Sequence, residues 1–402
     1  MSSKDNRVVV RTRSALRTEV MANGCALVAG EPIGMGSANY HPREGGTANY
    51  PRRDAAPEAP MVRLDWAGKE EATRLAGSPP RAKLRKVPEL SLGEGCSGNA
   101  IIHADNLSAM AALTPTLRGW VDLAFLDPPY NATRERWDYP DRILGWFGSV
   151  VGAEGEDALR HDKWLSMMYP RLVLLRLLLA ESGALFMTLD DHEVHHARVL
   201  MDEIFGAENF LANITWEKTQ TSEDTGSPFL ETHTHVIAYA RNAEIWRPNP
   251  SVKKVPTIWS TADLDGGAHE FQTVASSQPG APYPFIPKPV GLLRRVLRIA
   301  AGPDALVLDP FAGSGTTAQA VLEENASDEG HRRFILIEAD DRAHTLISRR
   351  LAEARGVRRA YDFYTLLPDR GDLTLPDLAS ARLAPRHDGK GQGALEAACF
   401  GS

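Results

Sequence analysis

Short, nearly continuous apolar runs alternate with stretches of helical periodicity over most of this chain. Val121–Leu126, Gly183–Leu189, Ala305–Leu308 and Phe334–Ile337 are apolar at almost every position. Such runs mark strands buried on both faces of a parallel sheet. Ile101-Ile102-His103-Ala104-Asp105 reads as a further strand, with Asn106-Leu107-Ser108 opening a helix. Helical spacing begins again at His161-Asp162-Lys163-Trp164, where Pro170 is expected to mark a kink or a new first turn. A helix over Glu193–Phe205 should follow the run at 183–189, capped by Asp190 or Asp191. Two more helices are predicted, over Gly291–Ala301 and from Asp341 to about Arg355. Asn213–Trp216 and His235–Ala240 read as an antiparallel edge hairpin. The pattern as a whole predicts a doubly wound α/β fold.

The periodicity fades at both ends. Residues 1–60 are rich in Gly, Pro, Arg and Ala and read as a flexible, dispensable extension. One domain is expected over 61–372, with its core starting near Trp66. Residues 373–402 read as a loose tail. Within the domain the pattern dissolves again between about 241 and 283 into Pro, Asp, Ser and Thr, with Trp246 and Trp259 embedded.

Composition narrows the class. The chain has 402 residues, 43% of them hydrophobic, enough for one large decorated α/β domain or for two domains. Its net charge is −7, so any nucleic-acid binding must come from local basic patches. Arg81-Ala82-Lys83-Leu84-Arg85-Lys86 is such a patch, and reads equally as a backbone-phosphate contact or a solvated connector. Cys25, Cys96 and Cys399 are far apart, which argues against a disulfide scaffold and fits a reducing, cytoplasmic setting. The longest apolar run, Leu172–Ala180, is interrupted by Arg176 and too short to span a membrane.

Two strand ends carry the candidate chemistry. The run at 121–126 stops on Asp127-Pro128-Pro129-Tyr130, because neither proline can donate to a sheet ladder. In open α/β sheets ligands bind beyond the carboxyl ends of the strands. The run at 305–308 leads into Asp309-Pro310-Phe311-Ala312-Gly313-Ser314-Gly315-Thr316-Thr317. Its glycines permit a tight turn and close backbone approach to a ligand, and Thr316 opens a helix with free amides. No Gly-Lys-Ser/Thr follows, which excludes a phosphate loop, and the spacing departs from that of dinucleotide folds. Glu338 ends the next strand, where acids of nucleotide folds bond ribose hydroxyls.

Together these motifs resemble the β group of DNA amino-group methyltransferases acting on adenine N6. Within that group, the segment opening Met61-Val62-Arg63-Leu64-Asp65-Trp66 is similar to modification subunits of type III restriction systems. The resemblance covers about residues 61–365. It implies a mostly parallel seven-stranded sheet of the S-adenosylmethionine-dependent type, with the catalytic motif preceding the cofactor motif in a circularly permuted order. Asp127, Pro128, Pro129 and Tyr130 would be catalytic, accepting bonds from the target amine and stacking a base flipped out of the duplex. S-adenosylmethionine would meet Asp309, Phe311, Ala312, Gly313, Ser314, Gly315, Thr316 and Glu338. By resemblance, Lys288 and Asp105 would also line its pocket, Lys288 near its carboxylate. No metal is implied. Residues 241–283 would hold the target-recognition insert, and Arg134, Arg136, Trp137 and Tyr139 would lie on a loop closing over double-stranded DNA. The resemblance also implies a homodimer. The insert is shorter than in type III modification subunits, which leaves pairing with a restriction subunit open.

Three rivals stand beside this reading. N4-cytosine methylation usually goes with Ser at the first motif position, so Asp127 favours adenine. An inactive DNA-binding subunit is opposed by the intact Asp127, Tyr130, Gly313 and Gly315. His192-Glu193-Val194-His195-His196 matches the zinc-protease pattern His-Glu-x-x-His. A catalytic zinc needs a third protein ligand as well, and the segment reads instead as the start of an amphipathic surface helix.

Overall fold

The computed structural model describes residues 62–93, 97–131, 159–217, 229, 231–260, 287–354 and 360–368. The expected extension, the tail, the aromatic loop after Asn131 and most of the recognition insert lie outside them. Among the described residues ten strands form one sheet. In chain order they are β1 (Ala82–Lys86), β2 (Ala100–His103), β3 (Val121–Leu126), β4 (Leu179–Leu189) and β5 (Phe210–Glu217). They continue with β6 (His233–Ala240), β7 (Ile258–Trp259), β8 (Leu306–Asp309), β9 (Arg333–Glu338) and β10 (Asp362–Pro368). The spatial order is β1-β10-β2-β9-β8-β3-β4-β6-β5-β7. The run from β2 to β5 in that order supplies the seven expected strands. Three further strands extend the edges, so the 213–216 and 235–240 pair is not the rim. The basic cluster at 81–86 is neither a connector nor a free arm: it is β1, paired antiparallel to β10 with Leu84 buried.

The described helices are α1 (Lys69–Gly77), α2 (Asn106–Leu117), α3 (Arg160–Leu178), α4 (Val194–Phe205), α5 (Val290–Ala300), α6 (Thr316–Asp328) and α7 (Ala343–Glu353). They pack on both faces of the sheet, and the strands show why. Ala124 and Leu126 of β3 join one core with Met110, Trp164 and Leu200, while Leu123 and Phe125 join a second core with Val296, Val321 and Ile347. Side chains alternate faces along a strand, so a strand covered on both sides must be apolar throughout. Each fully buried Leu or Phe contributes about 1.5–3 kcal/mol, and an interior proline costs about 3 kcal/mol. The several buried side chains of α3, among them Trp164, Leu172 and Leu175, together outweigh Pro170, which lies inside the helix without ending it.

Trp66 is buried and its indole donates to Ser166 Oγ at 2.8 Å, so the chain joins the core where its composition changes. The start of α4 differs from expectation. Its cap position is Glu193, and Asp190 instead accepts from the His192 amide and pairs with the His192 ring. No helix among the described residues is long and apolar enough to cross a membrane.

Candidate active site

Strand β3 runs parallel to β8 on one side and β4 on the other, and β8 runs parallel to β9. Their carboxyl ends therefore open at the same edge. This register sets Asp127, Asp309 and Glu338 side by side although 211 residues separate the first from the last.

Asp127 is held from two directions. Thr188 Oγ1, near the end of β4, donates to Asp127 Oδ1 at 2.5 Å. Lys288 Nζ, just ahead of α5, pairs with Asp127 Oδ2 at 2.8 Å and lies 4.8 Å from the Tyr130 ring centroid. Burial alone would lower the Lys288 pKa, but the charges of Asp127 and Tyr130 outweigh it and raise it. Burial, with Asp127 close by, pushes the Tyr130 phenol above its ordinary range. Its hydroxyl is buried, with Thr188 and Lys288 close by. Behind the prolines, the Trp164 indole donates to the Pro129 carbonyl at 2.7 Å. Asn131 closes the turn at φ 61°, a left-handed conformation that asparagine tolerates better than most residues.

The glycine loop combines tight turns of its own with bonds from side chains around it. Gly313 and Gly315 both take positive φ, 50° and 81°. A Cβ at Gly315 would come within 2.9 Å of Ile347 Cγ1, so glycine is required there for space as well as conformation. Asp309 Oδ1 accepts from the Phe311 amide, and Oδ2 accepts from Thr317 Oγ1 on the first turn of α6. Burial pushes the Asp309 carboxyl up to about 7, opposed by those two bonds and reinforced by the charges of Asp127 and Glu338. Glu338 Oε2 accepts from the Gly313 amide at 2.8 Å, and Oε1 from the amides of Ala339 and Asp340. Burial raises its pKa as well. Glu338 is thus tied to the loop itself and is not a helix cap.

The structure brings Asp127, Tyr130 and Lys288 into one cluster and Asp309, Phe311, Gly313 and Glu338 into its neighbour. Lys288 pairs with the catalytic-type acid in this structure, a contact its expected role beside a cofactor carboxylate did not anticipate. Asp105 has both oxygens engaged in the scaffold. Oδ1 caps α2 at Ser108, and Oδ2 pairs with the fully buried Arg171 at 2.9 Å. Its neighbour Asn106 reaches the cofactor-type loop instead, donating to the Pro310 carbonyl. Ser314 is likewise held from behind, its carbonyl and hydroxyl bonded by Arg350. Thr188, Asn131, Trp164 and Arg350 are site residues that sequence reasoning missed. Thr188 alone left a trace there, as a hydroxyl in an otherwise apolar run.

Two groups of described side chains have metal-ligand composition, His161 with Glu193 and His196, and Asp191 with His233 and His235. The first does not have the protease arrangement, because His192 turns to Asp190 and Glu193 stands between the other two imidazoles.

The model of a DNA methylase family matches residues 121–349, from β3 into α7. The Mod subunit of the type III restriction-modification enzyme StyLTI from Salmonella typhimurium is 27% identical over 69% of this chain and 58% of its own length. The EcoPI Mod subunit of Escherichia phage P1 is 24% identical over 69% of this chain and 63% of its own. The chain thus spans less than two thirds of either relative. The type II methyltransferase M.KpnI of Klebsiella pneumoniae is 23% identical over 66% of this chain and 86% of its own. Among solved structures, an M1.HpyAVI–SAM complex aligns at 17% identity and TM-score 0.42, covering 63% of this chain and 98% of that one. The cytosine-N4-specific PvuII DNA methyltransferase aligns at 14% and 0.44, covering 64% and 88%. Matched over more than half its length, across both the Asp-Pro-Pro-Tyr turn and the glycine loop, the chain belongs to the DNA methylase family.

Proposed function

We propose that the protein transfers a methyl group from S-adenosylmethionine to the exocyclic N6 amine of adenine in a specific sequence of double-stranded DNA. The observation that carries this reading is one sheet edge holding an Asp-Pro-Pro-Tyr turn beside a glycine loop ringed by Asp127, Asp309 and Glu338. Three carboxylates against Lys288 make a negative site, which favours a cationic sulfonium over a phosphate ligand. The fit extends to the loop. Gly313 and Gly315 let the backbone approach, α6 begins without a side-chain cap, and Glu338 stands at the strand end suited to ribose hydroxyls. Membership of the DNA methylase family and likeness to Mod subunits and type II methyltransferases support the same class.

When bound, the cofactor supplies an electrophilic methyl group on sulfur. The chain's own residues make the amine ready for it. An exocyclic amine is a poor nucleophile because its lone pair is delocalised into the ring. Each oxygen of an ionised carboxylate has two acceptor sites, so Asp127 can take a bond from the amine while keeping Thr188 and Lys288. The Pro128 carbonyl is the second acceptor, on a turn stiffened by two prolines. Tyr130 offers a face on which a flipped base stacks. Alignment of this kind supplies up to about 7–11 kcal/mol of barrier lowering. Asp127, rather than Ser, at the first motif position favours adenine.

Tritiated methyl transfer to DNA followed by nucleoside digestion tests the reading. N6-methyladenine is the expected product. N4-methylcytosine would replace the adenine assignment, and no transfer to any DNA would overturn the enzyme reading.

A further inference from the structure

A fully buried carboxylate stands behind the catalytic-type turn with no part in the chemistry derived above. Glu193 is 0% exposed, at the cap position of α4, where the helix amides favour a negative charge. Three N–H groups from three different elements converge on it. Asn131 Nδ2, the residue after Tyr130, donates to Oε1 at 2.5 Å. His161 Nδ1, from the first turn of α3, bonds the same oxygen at 2.6 Å. His196 Nδ1, from the first turn of α4, bonds Oε2 at 2.9 Å. A buried carboxylate is costly unless its oxygens are all met, so this one ties turn, α3 and α4 together.

The consequence falls on Asn131. It is 2% exposed and takes a left-handed φ, which asparagine tolerates better than most residues but which its surroundings must still select. The hydrogen bond to Glu193 is a side-chain contact that selects it here. Trp164 fixes the same turn one peptide earlier, through the Pro129 carbonyl. Between those two anchors sits Tyr130, and Asp127 lies two residues upstream of the first, joined to it by the stiff Pro128-Pro129 pair.

We propose that Glu193 is a positioning residue for methyl transfer. Acting through Asn131, it fixes the exit of the Asp-Pro-Pro-Tyr turn, and His161 and His196 hold its carboxylate in place. The inference rests on the methyltransferase reading of that turn. It also assigns Glu193 and His196 of the His-Glu-x-x-His motif, together with His161 from outside it, a role as a clamp in which the two imidazoles are donors to Glu193 and not ligands of an ion.

The test uses the full chain with three kinetic variants, Glu193→Ala, Asn131→Asp and the double Glu193→Gln/Asn131→Asp, and His161→Ala as a metal control. Glu193→Ala should lower kcat about 100-fold, the scale of a misplacement near 1 Å, while calorimetric cofactor affinity stays within about threefold because the glycine loop is untouched. Asn131→Asp, which sets two carboxylates against each other, should lose activity similarly. The double variant restores a donor–acceptor pair between positions 193 and 131 but not the His161 bond to the same oxygen, so kcat should recover in part, at least severalfold above Asn131→Asp alone. Hydrogen exchange gives an arm independent of activity: the Tyr130 and Asn131 amides should exchange faster in Glu193→Ala, with Gly313 and Gly315 unchanged. If wild type transfers no methyl group, the functional reading fails and the exchange arm still decides the clamp. Near wild-type kcat in Glu193→Ala, parallel loss of cofactor binding, failure of the folded double variant to recover, or unchanged exchange would each overturn the proposal. So would stoichiometric zinc that disappears in His161→Ala.

Discussion

The two halves of the site are built by different means. The glycine loop between Asp309 and Thr317 makes its turns with partners inside its own nine residues and is then anchored from afar by Asn106, Glu338 and Arg350. Asp309 binds the Phe311 amide and the Thr317 hydroxyl, and two glycines take the positive φ that the turn needs. The Asp-Pro-Pro-Tyr turn is held almost entirely from afar. Thr188 is 61 residues from Asp127, Trp164 is 35 from Pro129, and Glu193 is 62 from Asn131. Turns closed locally keep their conformation under most distant substitutions. A turn specified by tertiary contacts can be misplaced by a change that never touches the substrate.

Asp127→Ala should give the largest effect that separates the halves. It removes an acceptor for the target amine but leaves the glycine loop and Glu338 in place. Turnover is expected to fall by roughly two orders of magnitude or more, with cofactor affinity within a few-fold of wild type. Methylation at a near wild-type rate would reduce Asp127 to a turn residue. Gly315→Val is the converse case, since its φ of 81° and the Ile347 methyl both oppose a branched side chain. Cofactor affinity should drop at least about tenfold, and stability by about 1–3 kcal/mol from backbone strain and crowding. Calorimetry and thermal unfolding read both; unchanged affinity would mean the loop is not the cofactor site.

Thr188→Val sharpens the contrast on a smaller scale. It keeps the volume but deletes the hydroxyl bonded to Asp127 Oδ1. A lost bond to a charged group corresponds to about 1.5–3 kcal/mol, so kcat should fall about tenfold or somewhat more without a change in cofactor binding.

Asp309 offers a pH-dependent measurement. Its folded pKa of about 7 lies above the usual aspartate range, so its contribution to stability is most favourable below about pH 4. It is then lost as pH rises through 7, because the unfolded chain ionises first. Asp309→Asn removes that penalty and should stabilise the cofactor-free protein by about 1–4 kcal/mol at pH 8. The gain should vanish near pH 4; a gain independent of pH would place the carboxyl outside this range. The smallest effect belongs to His192→Ala. His192 pairs with Asp190 and touches neither half of the site, so turnover within about twofold of wild type is expected. A large loss would return His192 to the chemistry.

Much of this was legible along the chain. Buried strands announce themselves when both faces are covered, which is why β3, β8 and β9 were each readable as apolar runs. Proline stops β3 at a definite residue, and glycines mark the loop that needs them. Caps and long-range anchors were less visible. Asp190 could cap a helix by type, yet it is committed to His192, and Glu193 takes the cap position instead. The basic stretch at 81–86 pairs with β10 across some 280 residues, a partner no local pattern could name.

The sequence by itself determined where the central strands β3, β8 and β9 lie, which turn carries a carboxylate and an aromatic ring, and which glycines permit positive φ. Those properties depend on steric limits and hydrogen-bonding capacity within a few residues. Only the tertiary structure decided that Lys288 faces Asp127, that Arg171 occupies Asp105, and that Glu193 reaches Asn131. Each of these joins buried charged or polar groups brought together by strand order. A charge taken out of water must find its partner in space, wherever along the chain that partner lies.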